Sequence, residues 1–385
     1  MSVQAGRKLW TEPAAGAITI SFAVAASLVA VLAGCPKGGG PVELVDREPV
    51  VQAQPPRDVL VAALADDVAL RSFALGVLVR TEPLESALGF AVVGRLSVEQ
   101  PVQLAAIRGL GDRMPDVRVE SLLRSIVVDS ATRAVVRSYA ALALVSVAPE
   151  SQRDWFAALP RPLATSGSGV GIPLAARRAG VHGADDELVA LLQKGTLPAE
   201  PELVRWVGGV PGVPWDDVAA RAEPEVRPHA WCAAAIAGFG GATDRAVEDA
   251  RPRDEDGIAD AVDAWVICPS PVASTVLARL PGDVADLGQV ARGRGSLGLA
   301  RRMLDGAAWI DAVHALAARG EQGHAALREW AARQDDVRRE VVAVSLVGNA
   351  LPGDAALVES FRTDASLRTR AAAATIVLGG GAAGK

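Results

Sequence analysis

Val136-Arg137-Ser138-Tyr139-Ala140-Ala141-Leu142-Ala143-Leu144 has the form V-R-x-x-A-A-x-A-L, and this pattern returns along the chain. Leu70-Arg71-Ser72-Phe73-Ala74-Leu75-Gly76-Val77-Leu78 carries it with conservative changes. Further copies begin at Val226, Val337 and Leu367, and a weaker one surrounds Gln103-Leu104-Ala105-Ala106-Ile107. Starts at 337 and 367 are 30 residues apart, and the other gaps of 66, 90 and 111 divide into units of roughly 30 to 37 residues. Within each copy the apolar positions recur at i, i+4 and i+7 or i+8, the period of a helix that buries one stripe. Paired alanines at the contact let neighbouring helices approach closely.

An Asp-containing turn precedes several copies, at Asp66 and Asp67, Asp129, Asp335 and Asp336, and Asp364. Asp there can cap a helix N-terminus, and the Arg four or five residues later can reach turn carboxylates or carbonyls of its own or the next repeat. Together the turn and the V-R-x-x-A-A-x-A-L segment resemble HEAT-like repeats, in particular the short variety named after phycobilisome lyases. The resemblance implies an all-α chain wound as a right-handed α-α superhelix over residues 57–378. About nine or ten stacked pairs would make an elongated, curved solenoid whose stability is mostly nearest-neighbour.

The N-terminus reads differently. Arg7 and Lys8 precede 21 residues without a charge, Ala14 to Gly34, which is a targeting segment. It ends Leu32-Ala33-Gly34-Cys35, which resembles the bacterial lipobox. That resemblance implies that residues 1–34 are a lipoprotein signal peptide cleaved after Gly34, and that the Cys35 thiol carries diacylglycerol, with palmitate or another acyl chain on the new amino terminus. More than one chain is what makes such anchoring durable. An uncleaved signal anchor is the competing reading, since 21 apolar residues can span a bilayer. Residues 35–56, opening Cys35-Pro36-Lys37-Gly38-Gly39-Gly40, read as a flexible tether, and residues 379–385 as a disordered tail. No Asp follows Cys35, which by the same resemblance points to an outer-membrane lipoprotein facing the periplasm.

Composition narrows the function classes. With 50% hydrophobic and 22% charged residues the chain folds rather than staying disordered. Without residues 1–34, which hold Arg7, Lys8 and Glu12, 37 basic and 44 acidic side chains remain, a net charge of −7. That surface does not drive counterion release on nucleic acid, so no nucleic-acid partner is expected. Gly293-Arg294-Gly295-Ser296-Leu297-Gly298 matches G-x-G-x-x-G but lacks the strand-then-helix setting, and reads as a turn. His182, His229, His314 and His324 form no ligand spacing and read as surface or boundary residues. No catalytic residue, metal or cofactor is assigned.

Two features are left open. Cys232 and Cys268 are 36 residues apart, one repeat length. Equivalent positions on stacked helices lie about 9 to 10 Å apart and a disulfide needs Cα atoms within about 7 Å, so they are either bridged by local closeness or buried as free thiols. Trp206, Trp215, Trp231, Trp265, Trp309 and Trp330 gather in one third of the chain as either core fillers or a candidate interaction surface. The expected function is a lipid-anchored envelope scaffold or adaptor for an unidentified protein partner. The alternatives are an enzyme or chaperone-like factor of the HEAT-like lyase kind, which a concave pocket lined by His, Arg and Asp would favour, and a structural envelope spacer.

Overall fold

The computed structural model describes residues 52–380 apart from 195, 196, 199, 251–254 and 307. The described residues form twenty-two α-helices and no strand. The signal segment, Cys35 and most of the tether lie outside the described residues.

The first third of the chain holds α1 (Pro56–Ala63), α2 (Val68–Thr81), α3 (Leu84–Arg95), α4 (Gln100–Gly111), α5 (Val117–Val128), α6 (Ala134–Leu144) and α7 (Arg153–Ala157). The middle holds α8 (Gly171–Arg178), α9 (Ala184–Gln193), α10 (Pro201–Trp206), α11 (Trp215–Ala220), α12 (Arg227–Ile236), α13 (Ala242–Ala250) and α14 (Glu255–Val266). The last third holds α15 (Ala273–Leu277), α16 (Asp283–Ala291), α17 (Leu297–Met303), α18 (Trp309–Ala317), α19 (Gly320–Ala331), α20 (Asp336–Leu346), α21 (Ala355–Phe361) and α22 (Leu367–Gly380). Pro56 thus belongs to α1, and Gly379 and Gly380 to α22 rather than to a disordered tail.

Local chemistry sets the boundaries. Oδ1 of Asp67 accepts the Leu70 N–H at 3.0 Å, and Oδ1 of Asp335 accepts the Arg338 N–H at 3.0 Å, so both cap the helices they precede. Asp129 does not cap α6. It folds the turn before it, accepting from Ala131 N–H and the Thr132 hydroxyl. Pro56, Pro101 and Pro228 stand in first turns, where no N–H bond is lost. At the other end of α12, Gly238 takes φ of +82° and the Phe239 N–H reaches back to the Ala234 carbonyl at 2.9 Å, a conformation that favours glycine.

The two helix sets differ in burial. In α5 the buried residues are Val119, Leu123, Ile126 and Val127, a single stripe. In α6 they are Val135, Val136, Ser138, Tyr139, Ala140, Ala141, Leu142 and Leu144, nearly the whole circumference. The even-numbered helices carry the repeat pattern, and apart from the step between α8 and α10 each packs on the next even-numbered helix. Small residues set that spacing: a Cβ on Gly109 of α4 would lie 2.9 Å from Val79 of α2. Between α8 and α10 the step is tied by Arg177, whose Nη2 donates to the Gly209 carbonyl at 2.9 Å.

The circuit closes. Helix α22 packs on both α1 and α2, and one apolar cluster unites Val59, Leu60, Ala63, Leu70, Phe73 and Leu78 with Phe361 and Ala371 through Ala374. The array is therefore not the elongated form expected from the sequence, since an open curve cannot bring its two ends together. The repeat arginines show the same continuity. Arg71 donates to the Leu64 and Asp66 carbonyls of its own turn and to Glu99 of the next unit, and Arg227 donates to the Ala222 carbonyl and to Asp249. Arg368, in the last unit, pairs with Asp67 of the first.

Candidate functional site

Even-numbered helices bring polar side chains together where the repeat leaves its sequence free. The fourth residue of V-R-x-x-A-A is Phe73 in α2, Tyr139 in α6 and His229 in α12, and all three are buried. The apolar positions on either side are fixed by stacking, so this one can vary in chemistry. Around Tyr139 the phenol donates to Oε2 of Glu202 at 3.0 Å, and Nη2 of Arg108 donates to the same oxygen at 2.7 Å. The Arg108 guanidinium also lies 4.9 Å from the Tyr139 ring centroid. Tyr139 meets Trp206 at 5.9 Å, and Arg178 lies 5.8 Å from the Trp206 ring. Burial, with the Glu202 charge beside it, holds the Tyr139 phenol protonated well above its ordinary range. The Arg108–Glu202 pair joins α4 directly to α10, with Tyr139 of α6 on the same carboxylate oxygen, and Gln100 adds a bond to the nearby Glu200 at 3.2 Å.

Arg205 sits on the same face of α10 as Glu202, one turn on. It is 8% exposed, yet its hydrogen bonding is a single 3.4 Å donation from Nη1 to the Ile267 carbonyl, and Nε has no partner. Beside it His229, also 8% exposed, has no partner at Nδ1. Burial, and then the Arg205 charge, push the His229 imidazole down to about 3, so the ring is neutral at physiological pH.

A second group is acidic: Asp260 and Asp263 on α14, and Asp311 on α18. Asp263 is exposed on α14, but the protein crowded around it, with the charges of Asp311 and Asp260, pushes its carboxyl up to about 7. A folded-state value above the unfolded one means that the folded chain binds the extra proton between about pH 4 and 7. Stability from this group is therefore present at acid pH and lost as pH rises toward 7. Asp263→Asn is expected to flatten that part of the profile and to raise the melting temperature relative to wild type at pH 8 more than at pH 4.5. Parallel pH dependences in the two proteins would count against the assignment.

The structure separates the other residues read from sequence. Cys232 and Cys268 are bridged by a disulfide, with Cα atoms 5.9 Å apart. The pair escapes the stacking distance because Cys232 lies within α12 whereas Cys268 lies beyond the end of α14, where the chain turns back. Nη1 of Arg292 holds that turn, donating to the Val266 and Cys268 carbonyls at 2.9 Å each. Trp215, Trp231, Trp265 and Trp330 are buried, so they fill the alanine-rich stack and are not an interaction surface. Trp206 and Trp309 are half-buried. Nor are all four histidines peripheral: His182 is exposed and His314 half-buried, but His229 and His324 are buried. The G-x-G-x-x-G segment is the turn from α16 into α17. Among the described residues, no three His, Cys, Asp or Glu side chains gather with the geometry of a metal site.

Comparison of the chain with family models, curated protein sequences and solved structures gives no match.

Proposed function

We infer that this chain is a lipid-anchored bacterial envelope protein whose helical repeats, a HEAT-like right-handed superhelix drawn into a closed form, bind a protein partner as a scaffold or adaptor. The observation that carries the reading is Leu32-Ala33-Gly34-Cys35 at the end of an uncharged segment, followed by a glycine-rich tether. Two further features support it. A disulfide suits an oxidising envelope compartment. Among the described residues no helix is long and apolar enough to cross a membrane; in this reading acylated Cys35 is the attachment.

A second reading has its own support. Arg108, Arg205, His229, Asp263 and Asp311 all stand on even-numbered helices, and these are the residue types that an enzyme or chaperone-like factor of the lyase kind would use. The anchoring claim is tested by Cys35→Ala in a bacterial host. The variant is expected to lose incorporated fatty acid label and to leave the membrane fraction or accumulate as uncleaved precursor. Unchanged labelling would remove the lipoprotein reading.

A further inference from the structure

We propose that Arg205 and His229 form an oxyanion site on the even-numbered helices, built to take a phosphate or carboxylate group. The site is independent of the envelope reading.

The first observation is a buried cation that no carboxylate contacts. No carboxylate lies within ion-pair distance of the Arg205 guanidinium among the described residues, and the one acceptor it reaches, the Ile267 carbonyl, is at 3.4 Å. Glu202 is the nearest acid on its face of α10, but the Glu202 carboxylate already takes Arg108 and the Tyr139 phenol. Two guanidiniums therefore share one carboxylate, leaving a local excess of positive charge. Taking an uncompensated guanidinium out of water costs several kcal/mol, and a water molecule would fill its hydrogen bonds without neutralising it. An oxyanion does both, since the planar fork of Arg matches carboxylate and phosphate oxygens.

His229 supplies the second observation. A neutral imidazole has one N–H donor and one acceptor nitrogen, and with Nδ1 buried and unpartnered the tautomer carrying the proton on Nδ1 can donate to the same anion. The ring lies close enough to Arg205 to feel its charge. The two unpartnered nitrogens stand on adjacent packed helices, α10 and α12.

The experiment titrates the full chain with inorganic phosphate and, separately, with acetate, following heat by calorimetry and the His229 imidazole by NMR. Saturable binding is expected, together with an upward move of the His229 pKa from about 3, because the anion offsets Arg205. Arg205→Gln is expected to weaken binding at least about tenfold, the loss of charged hydrogen bonds. Should that variant fail to fold, Arg205→Lys keeps the charge without the fork and is expected to weaken binding less than Gln but measurably, with His229→Gln weakening it by a smaller factor. Saturation by phosphate alone assigns a phosphate-bearing ligand; saturation by acetate as well, or by acetate alone, assigns a carboxylate. Absence of saturation by either anion, or affinity unaltered by all three substitutions, overturns the proposal.

Discussion

Asp354→Asn is expected to lower unfolding free energy by about 3 to 5 kcal/mol, the cost of removing one partner from a buried charge pair. Asp354 is fully buried and His324 is 1% exposed. Nδ1 of His324 lies 2.6 Å from Oδ2 of Asp354, and Nε2 lies 2.8 Å from the Ala317 carbonyl oxygen. Both neighbours of the ring nitrogens are acceptor oxygens. The carboxylate also takes the Leu351 N–H at 2.8 Å and Nη1 of Arg328 at 2.8 Å. Burial alone would push its carboxyl up, but the Leu351 N–H, His324 and Arg328 hold it below the ordinary range. A depressed folded-state value contributes stability that is complete above about pH 4 and is lost as pH falls further. Denaturant melts at pH 7 should show the loss, and the variant should lack that acid-side decline. A change under about 1 kcal/mol, the scale of an exposed pair, would reduce the group to a surface-like contact.

Leu60→Ala addresses the junction of α1 with α22 and is expected to cost about 2 to 5 kcal/mol, the range for emptying a buried leucine site. Leu60 is fully buried in the cluster that also holds Phe361 and Ala371. In an open array such a change would fray one end. Here α22 loses its neighbour too, so hydrogen exchange should accelerate in residues 56–81 and 367–378 together. Acceleration confined to α1 would show that the ends rest side by side without sharing a cooperative unit.

Much of the architecture could be read from V-R-x-x-A-A-x-A-L, because stacking constrains those positions tightly and repeats the constraint. Capping by Asp67 and Asp335 followed from the same pattern. Closure could not be read, since it is the sum of many small rotations and leaves no local mark: Arg368 looks like any other repeat arginine, although its partner Asp67 is 301 residues away. Arg205 and Glu202 fall between clear copies, where periodicity is weak, and Tyr139 and His229 occupy the letters the pattern leaves blank. Their chemistry needs neighbours from other units, which one segment cannot specify. The 36-residue spacing leaves the disulfide open because Cys268 belongs to the turn after α14 and not to a helix face. His324 looks peripheral in the sequence because its partner Asp354 comes from a different helix junction, and Arg328, which donates to the same carboxylate, from one turn along α19.

Meeting of α1, α2 and α22 has a topological consequence. Linear repeat proteins spend their terminal units as solubilising lids with a polar outer face. A ring has no terminal unit, so every unit here can keep two apolar sides. It also makes the starting point of the polypeptide arbitrary with respect to packing. A circular permutant that links residue 380 to residue 56 and opens the chain between α7 and α8 would retain every helix neighbour, with new ends on the opposite arc.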